Sequence, residues 1–213
     1  GFDENNRIVG MRVKTIANMG AHLQNGTPNF LNNLGTLAGV YRTPAIYGLN
    51  RLVFTNAVPV APYRGAGRPN VSYLMERLVD EAARVTGIDR IELRRRNLLM
   101  KEAFPYKTPT GSTYDSGDPA GLMEEALRIA DWSSFERRRA EAKARGKLRG
   151  IGCAVLIEPS GGAGQEEIAI RFDAQGLPQL FTLAGPAGQG HETVFPDLVA
   201  GILGMSADKV TLR

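Results

Sequence analysis

Between Ile8 and Ala17 apolar and polar residues alternate. Met11, Val13, Thr15 and Ala17 share one face, and Arg12, Lys14 and Ile16 the other. A period of two predicts a strand. Gly20 to Gly39 is rich in Asn and Gly and has no clear period, so it reads as loop or broken helix. Val40 to Pro44 is short and extended, because Pro44 disfavours helix at Thr43. Arg51 to Asn56 reads as another strand. From Val71 the period changes. Val71, Leu74, Met75, Leu78, Val79, Ala82 and Val85 follow helical spacing, with Asn70 as N-cap and Gly87 as stop. Asp89 opens a second helix, with Glu92 three residues on. Its inward face reads as Ile91, Leu98 and Leu99, with the stem of Arg95 between them.

Phe104 to Gly117 is a loop of Pro, Thr, Gly and Ser. Asp118-Pro119 opens a third helix in cap-then-N1 order. Ser133 and Glu136 form a capping pair before a charged helix, Phe135 to Gly146. After Gly150 the pattern turns to β. Ile151 to Ile157 is an apolar strand and Glu167 to Phe172 alternates. Asp173 to Gly176 is a hairpin turn, and Gln179 to Ala184 is the returning strand. Gly185 to His191 is a glycine loop, and Val194 to Gly204 a helix with Pro196 tolerable only in its first turn. Strands, loop and helices thus precede a charged helix, and strands, loop and helix follow it. The class is α+β, in two successive mixed units. The expected division is 1–125, a charged linker helix at 126–148, and 149–213. No residue match between the halves marks an internal repeat.

Composition narrows the class. At 213 residues, 43% hydrophobic and 23% charged, the chain can bury a sizeable core. The net charge of +4 is too small to argue for nucleic acid. The basic run Arg137, Arg138, Arg139, Lys143, Arg145, Lys147 and Arg149 has no interleaved aromatic residue on which bases would stack. Cys153 is the only cysteine, so an internal disulfide is excluded. His22 and His191 lack metal-ligand spacing. No apolar run approaches the roughly 18 residues of a membrane span. A reducing, cytoplasmic setting is expected. Gly1 is not an initiator Met, and Val210 to Arg213 reads as mid-strand, so both ends are expected to be cut.

Two loops carry candidate chemistry. Val60 to Asn70 holds Arg64, Gly65, Gly67, Arg68 and two prolines between an apolar run and a helix. A helix N-terminus offers backbone N–H groups, and glycine lets a ligand approach them closely. The loop reads either as a cradle for an anionic, oxygen-rich group or as a tight turn with solvated arginines. Gly185 to Thr193 has the glycine spacing of a P-loop, but His191 and Glu192 stand where its Lys and Ser/Thr belong. Gly65 to Asn70 lacks the last glycine of a dinucleotide fingerprint. Ser160 has no nucleophile-elbow frame. Cys153, in an apolar strand, reads as a buried small hydrophobe.

Tyr63-Arg64-Gly65-Ala66-Gly67-Arg68-Pro69 together with Gly188-Gln189-Gly190-His191-Glu192-Thr193 resembles the large, molybdenum-binding subunit of the xanthine dehydrogenase / aldehyde oxidase / carbon monoxide dehydrogenase family. The resemblance continues through Gly20-Ala21, Leu74 to Arg77, Leu93 to Leu98 and Tyr114 to Asp118. It implies an α+β fold that wraps molybdopterin, often as its cytosine dinucleotide. The Arg64 backbone N–H would approach the molybdenum, beside Gly65, Ala66 and Gly67. Gly188, Gln189, Gly190, His191 and Thr193 would hold the pterin or its dinucleotide. The metal would be bound by the cofactor's sulfurs and by no side chain. Iron–sulfur and FAD groups would sit on partner subunits or domains, in a dimer of heterotrimers. Two departures matter. The best-known carbon monoxide dehydrogenases carry Cys-Ser-Phe-Arg where this chain has Gly65 to Arg68, and xanthine-type enzymes carry Phe at Ala66. The family's general base, a Glu, would follow Arg213, so no catalytic residue is expected here and the chain alone is expected to be inactive.

Overall fold

A computed structural model of the chain describes residues 1–24, 33–62, 65–158, 167–185 and 188–213. Helix makes up 38% and strand 19%, the α+β mixture that the hydrophobic pattern predicts. The chain divides into two compact units, Gly1–Pro159 and Ser160–Arg213.

In the first unit β1 (Met11–Asn18) pairs in parallel with β2 (Ile46–Val53), Met11 opposite Ile46 and Asn18 opposite Val53. The second strand starts earlier than the apolar run at Arg51 predicts, because pairing with all of β1 sets its length. The chain then enters α1 (Arg68–Thr86), which buries Val71, Met75, Val79 and Ala83 and stops at left-handed Gly87. Its N-cap is Gly67, not Asn70. Pro69 lacks an N–H that the first turn leaves unpaired anyway, so the helix runs through it.

Asp89 caps α2 (Arg90–Asn97), accepting from the N–H groups of Ile91 and Glu92. The residue turned inward is Arg94, fully buried, while Arg95 is exposed and paired with Glu124. Position 94 falls between Ile91 and Leu98 on the helical period, and that phase outweighs its charge. Arg94 donates to Glu76 at 2.7 and 3.0 Å and to Asp80 at 2.9 Å, and Tyr41 Oη donates to Glu76 at 2.5 Å. This network ties α2 and the Val40–Tyr41 backbone to α1. Burial, reinforced by the Glu76 charge, holds the Tyr41 hydroxyl well above the usual tyrosine range. Asn97 adds to the tie by accepting from Ile8 N–H and donating to the Asn6 carbonyl.

β3 (Tyr106–Lys107) and β4 (Thr113–Tyr114) form a short hairpin, and Asp118 caps α3 (Pro119–Ile129). The hairpin fixes Tyr114, whose hydroxyl donates to the Gly39 carbonyl at 2.8 Å. Burial, with Tyr106 beside it, pushes this group up to about 12. The charged helix is α4 (Phe135–Ala144). Its N-cap Ser134 turns its hydroxyl toward Asp131 instead of capping the helix, so the predicted Ser133–Glu136 capping pair does not form. Arg137 pairs with Glu141 and Arg139 with Glu136, and Arg138 donates to the carbonyls of Ala130 and Asp131 just beyond α3. The strand predicted over Ile151 to Ile157 is not formed: residues 151–158 have no strand partner among the described residues. Val155 is buried, and Cys153 and Ile157 pack on the same core as α1.

In the second unit β5 (Ile168–Phe172) pairs antiparallel with β6 (Pro178–Thr182), and β7 (Thr211–Leu212) lies parallel to β6. Leu180, Val199, Ala200 and Val210 form its small core beneath α5 (His191–Leu203). The helix begins at His191, three residues before the predicted start, so Pro196 falls in its second turn rather than its first. Among the described residues of the whole chain, no helix is long and apolar enough to cross a membrane.

Candidate functional site

The first loop is three successive left-handed residues: Gly65 (φ 87°), Ala66 (φ 43°) and Gly67 (φ 93°). Such a run is open to glycine and strained for alanine. It closes on itself. The Arg68 N–H donates to the Gly65 carbonyl at 3.0 Å, and the Asn70 and Val71 N–H groups donate to the Gly67 carbonyl. The first-turn amides that the sequence offers to a ligand are therefore partly engaged within the loop. A Cβ on Gly65 would lie 2.7 Å from Pro69 Cδ, so the loop packs directly on that ring.

The approach to the loop is pinned as well. Gly20 faces Pro59 so closely that a Cβ there would lie 2.3 Å from Pro59 Cα. Ala21 N–H donates to the Ala57 carbonyl, and the Asn18 carboxamide accepts from Gly20 N–H and Thr55 Oγ1. Arg68 Nη1 lies 2.6 Å from Glu158 Oε1. Arg64 and Tyr63 lie outside the described residues, as do Ser160, Pro186 and Ala187.

The second loop also ends in left-handed glycines, Gly188 (φ 89°) and Gly190 (φ 75°), the latter N-capping α5 without a side-chain cap. Thr193 and Val194 N–H groups donate to the Gly190 carbonyl. A Cβ on Gly188 or Gly190 would meet no described atom within 4 Å. His191 is oriented twice. Its Nδ1 lies 3.2 Å from the Ala184 carbonyl, and its ring stacks on Phe195 at 4.5 Å. A carbonyl only accepts, so Nδ1 carries the proton, and in the neutral ring Nε2 is the acceptor.

The structure thus brings Gly65, Ala66 and Gly67 together at one helix start, and Gly188, Gln189, Gly190, His191 and Thr193 at another. Sequence reasoning missed Glu158 and the Arg94–Glu76 pair. The 91/94/98 phase is a signal for Arg94. Nothing local signals Glu158, which meets Arg68 across 90 residues.

Two family models, each described as a molybdopterin cofactor-binding domain, match residues 1–98 and 125–213. The gamma subunit of the 6-hydroxypseudooxynicotine dehydrogenase complex of Paenarthrobacter nicotinovorans is 31% identical over 99% of this chain and 27% of that protein. The carbon monoxide dehydrogenase large chain of Hydrogenophaga pseudoflava is 29% identical over 97% of this chain and 28% of that protein. The crystal structure of quinoline 2-oxidoreductase from Pseudomonas putida 86 superposes with a TM-score of 0.80 at 28% identity, covering 100% of this chain and 29% of that one. The chain therefore belongs to the molybdenum-binding large subunits of the xanthine dehydrogenase / aldehyde oxidase / carbon monoxide dehydrogenase family, the molybdopterin-dependent oxidoreductases. It spans between a quarter and a third of the length of these relatives.

The second loop fits such a cofactor. A Cβ on either glycine would meet no described atom within 4 Å, and Gln189, His191 and Thr193 bring an amide, an imidazole and a hydroxyl to the stretch around the α5 N-terminus. These are donors and acceptors suited to phosphate oxygens and the amide edges of a pterin.

Proposed function

We propose that this chain forms the cofactor-cradling part of a molybdenum hydroxylase catalytic subunit that oxidises an aldehyde or N-heterocycle, with water as the oxygen source. The observation that carries this is the pair of left-handed glycine N-caps, Gly67 and Gly190, each starting a helix with no side-chain cap. Gly65, Ala66, Gly67, Gly188, Gln189, Gly190, His191 and Thr193 hold the cofactor in this reading, together with the Arg64 backbone. Gly188 and Gly190 admit it closely, and His191, fixed by Ala184 and Phe195, presents Nε2 as an acceptor. When bound, molybdopterin supplies the redox-active molybdenum that takes two electrons from the substrate carbon.

Quinoline, which the superposed oxidoreductase is named for, is an N-heterocycle, which favours that class. The cofactor is proposed in its cytosine dinucleotide form. Iron–sulfur and FAD groups on partner subunits or domains would take up the electrons, in a cytoplasmic dimer of heterotrimers. The chain by itself is inactive in this reading. The division 1–125, 126–148 and 149–213 stands as a proposal about modules in sequence, whereas residues 151–158 belong to the first compact unit, with Val155 buried in its core.

The test measures molybdenum and released cytosine nucleotide in the full-length protein, then oxygen incorporation from labelled water into a quinoline or an aldehyde. Both measured together support the reading. A folded protein with neither overturns it and favours a non-catalytic anion- or nucleotide-binding module. Oxidation of carbon monoxide with no turnover of either organic substrate would instead favour a carbon monoxide dehydrogenase, although no cysteine stands at Gly65 to Arg68.

A further inference from the structure

Arg68 is in an unfavourable place. It is the first residue of α1, where the helix dipole disfavours a cation, and the first turn holds no acidic side chain. Its side chain is 23% exposed, and its Nε is buried with no hydrogen-bond partner among the described residues. What offsets this is Glu158, 2.6 Å from Nη1. Glu158 follows Cys153, Val155 and Ile157, which pack on the core beside α1, so the backbone that leads to the carboxylate is anchored there. On its other side Arg68 is continuous with the loop, through its N–H to the Gly65 carbonyl and through Pro69, on which Gly65 rests.

We propose that Arg68 and Glu158 are positioning residues that lock the Gly65–Gly67 turn in its left-handed form. The inference rests on the reading that this turn holds the cofactor. The charge-assisted bond fixes the residue whose amide closes the turn, so the turn is shaped before any ligand arrives.

Arg68→Gln, Glu158→Gln and the exchange Arg68→Glu/Glu158→Arg are made in the full-length protein. Three quantities are read: hydrogen exchange of the amides at 65–68, 70 and 71, molybdenum per folded chain, and the melting temperature. Each single variant is expected to speed exchange at those amides about three- to tenfold and to lower molybdenum content, with melting little changed. The exchange of charges restores both, which loss of general packing would not do. Unchanged amide exchange in Glu158→Gln, whose side chain is the more exposed of the pair, overturns the proposal even if Arg68→Gln fails to fold. A wild-type protein without molybdenum defeats the functional reading alone, since the amide exchange still decides whether the pair locks the turn.

Discussion

Gly67 and Gly190 both start a helix from a left-handed residue without a side-chain cap, but their surroundings differ. The first loop rests on Pro69, is approached through the Gly20–Pro59 crossing, and leads into a helix held by buried Arg94 and Glu76. At both glycines of the second, a Cβ would meet no described atom within 4 Å. This loop leads into a helix that buries Val199 and Ala200 and exposes Val194, Leu198 and Ile202. One loop is shaped by the protein around it, and the other by its own glycines and by His191. The difference separates two tasks. A pre-shaped turn fixes geometry at the cost of room, and an open one leaves room for a bulky guest.

The largest expected effect is at the crossing. Gly20→Ala forces a Cβ into the Pro59 backbone at a φ of 77°, and should destabilise by about 5 kcal/mol, enough to prevent folding. Soluble expression and circular dichroism check it. Arg94→Met leaves the buried Glu76 carboxylate without its cation, with only the Tyr41 hydroxyl still donating to it, and should cost about 3–4 kcal/mol in denaturant unfolding, recovered in part by adding Glu76→Gln.

The glycine pair tests the contrast directly. Gly65→Ala, both strained and pressed on Pro69, should cost about 2–3 kcal/mol, whereas Gly190→Ala carries only backbone strain of about 1 kcal/mol. On the proposed function Gly190→Ala should still lower molybdenum content, because its methyl enters the open space. Equal stability losses for the two would erase the distinction.

The smallest effect at neutral pH is Tyr114→Phe, which removes one hydrogen bond of about 1 kcal/mol. Its signature is alkaline. The folded-state value is raised from 10.0 to about 12, so the unfolded chain loses this proton first. The stability it contributes is complete below pH 10 and falls between pH 10 and about 12. Stability measured against pH should therefore decline less steeply there in Tyr114→Phe.

Much of the site was legible from local chemistry. Glycine spacing before an amphipathic helix marks both loops, and Asp89 and Asp118 act as caps where the sequence places them. Helix starts were less legible. Asn70 is a good cap by residue type, but left-handed Gly67 begins α1 because Pro69 fits a first turn. For α5 the expectation that Pro196 needs the first turn puts the start at Val194, whereas the helix starts at His191 behind Gly190 and runs through the proline. Arg95 and Arg94 are alike in composition; the helical phase set by Ile91 and Leu98 favours Arg94, and the packing of α2 on α1 buries it.

The sequence by itself determined the class, the two glycine turns and the residues that make them, because backbone freedom and periodicity are local properties. Tertiary structure decided that Gly20 meets Pro59, that Arg94 lies beneath α1 and that Glu158 reaches Arg68. Those pairings join residues far apart in the chain, and they exist only once burial has brought their segments together.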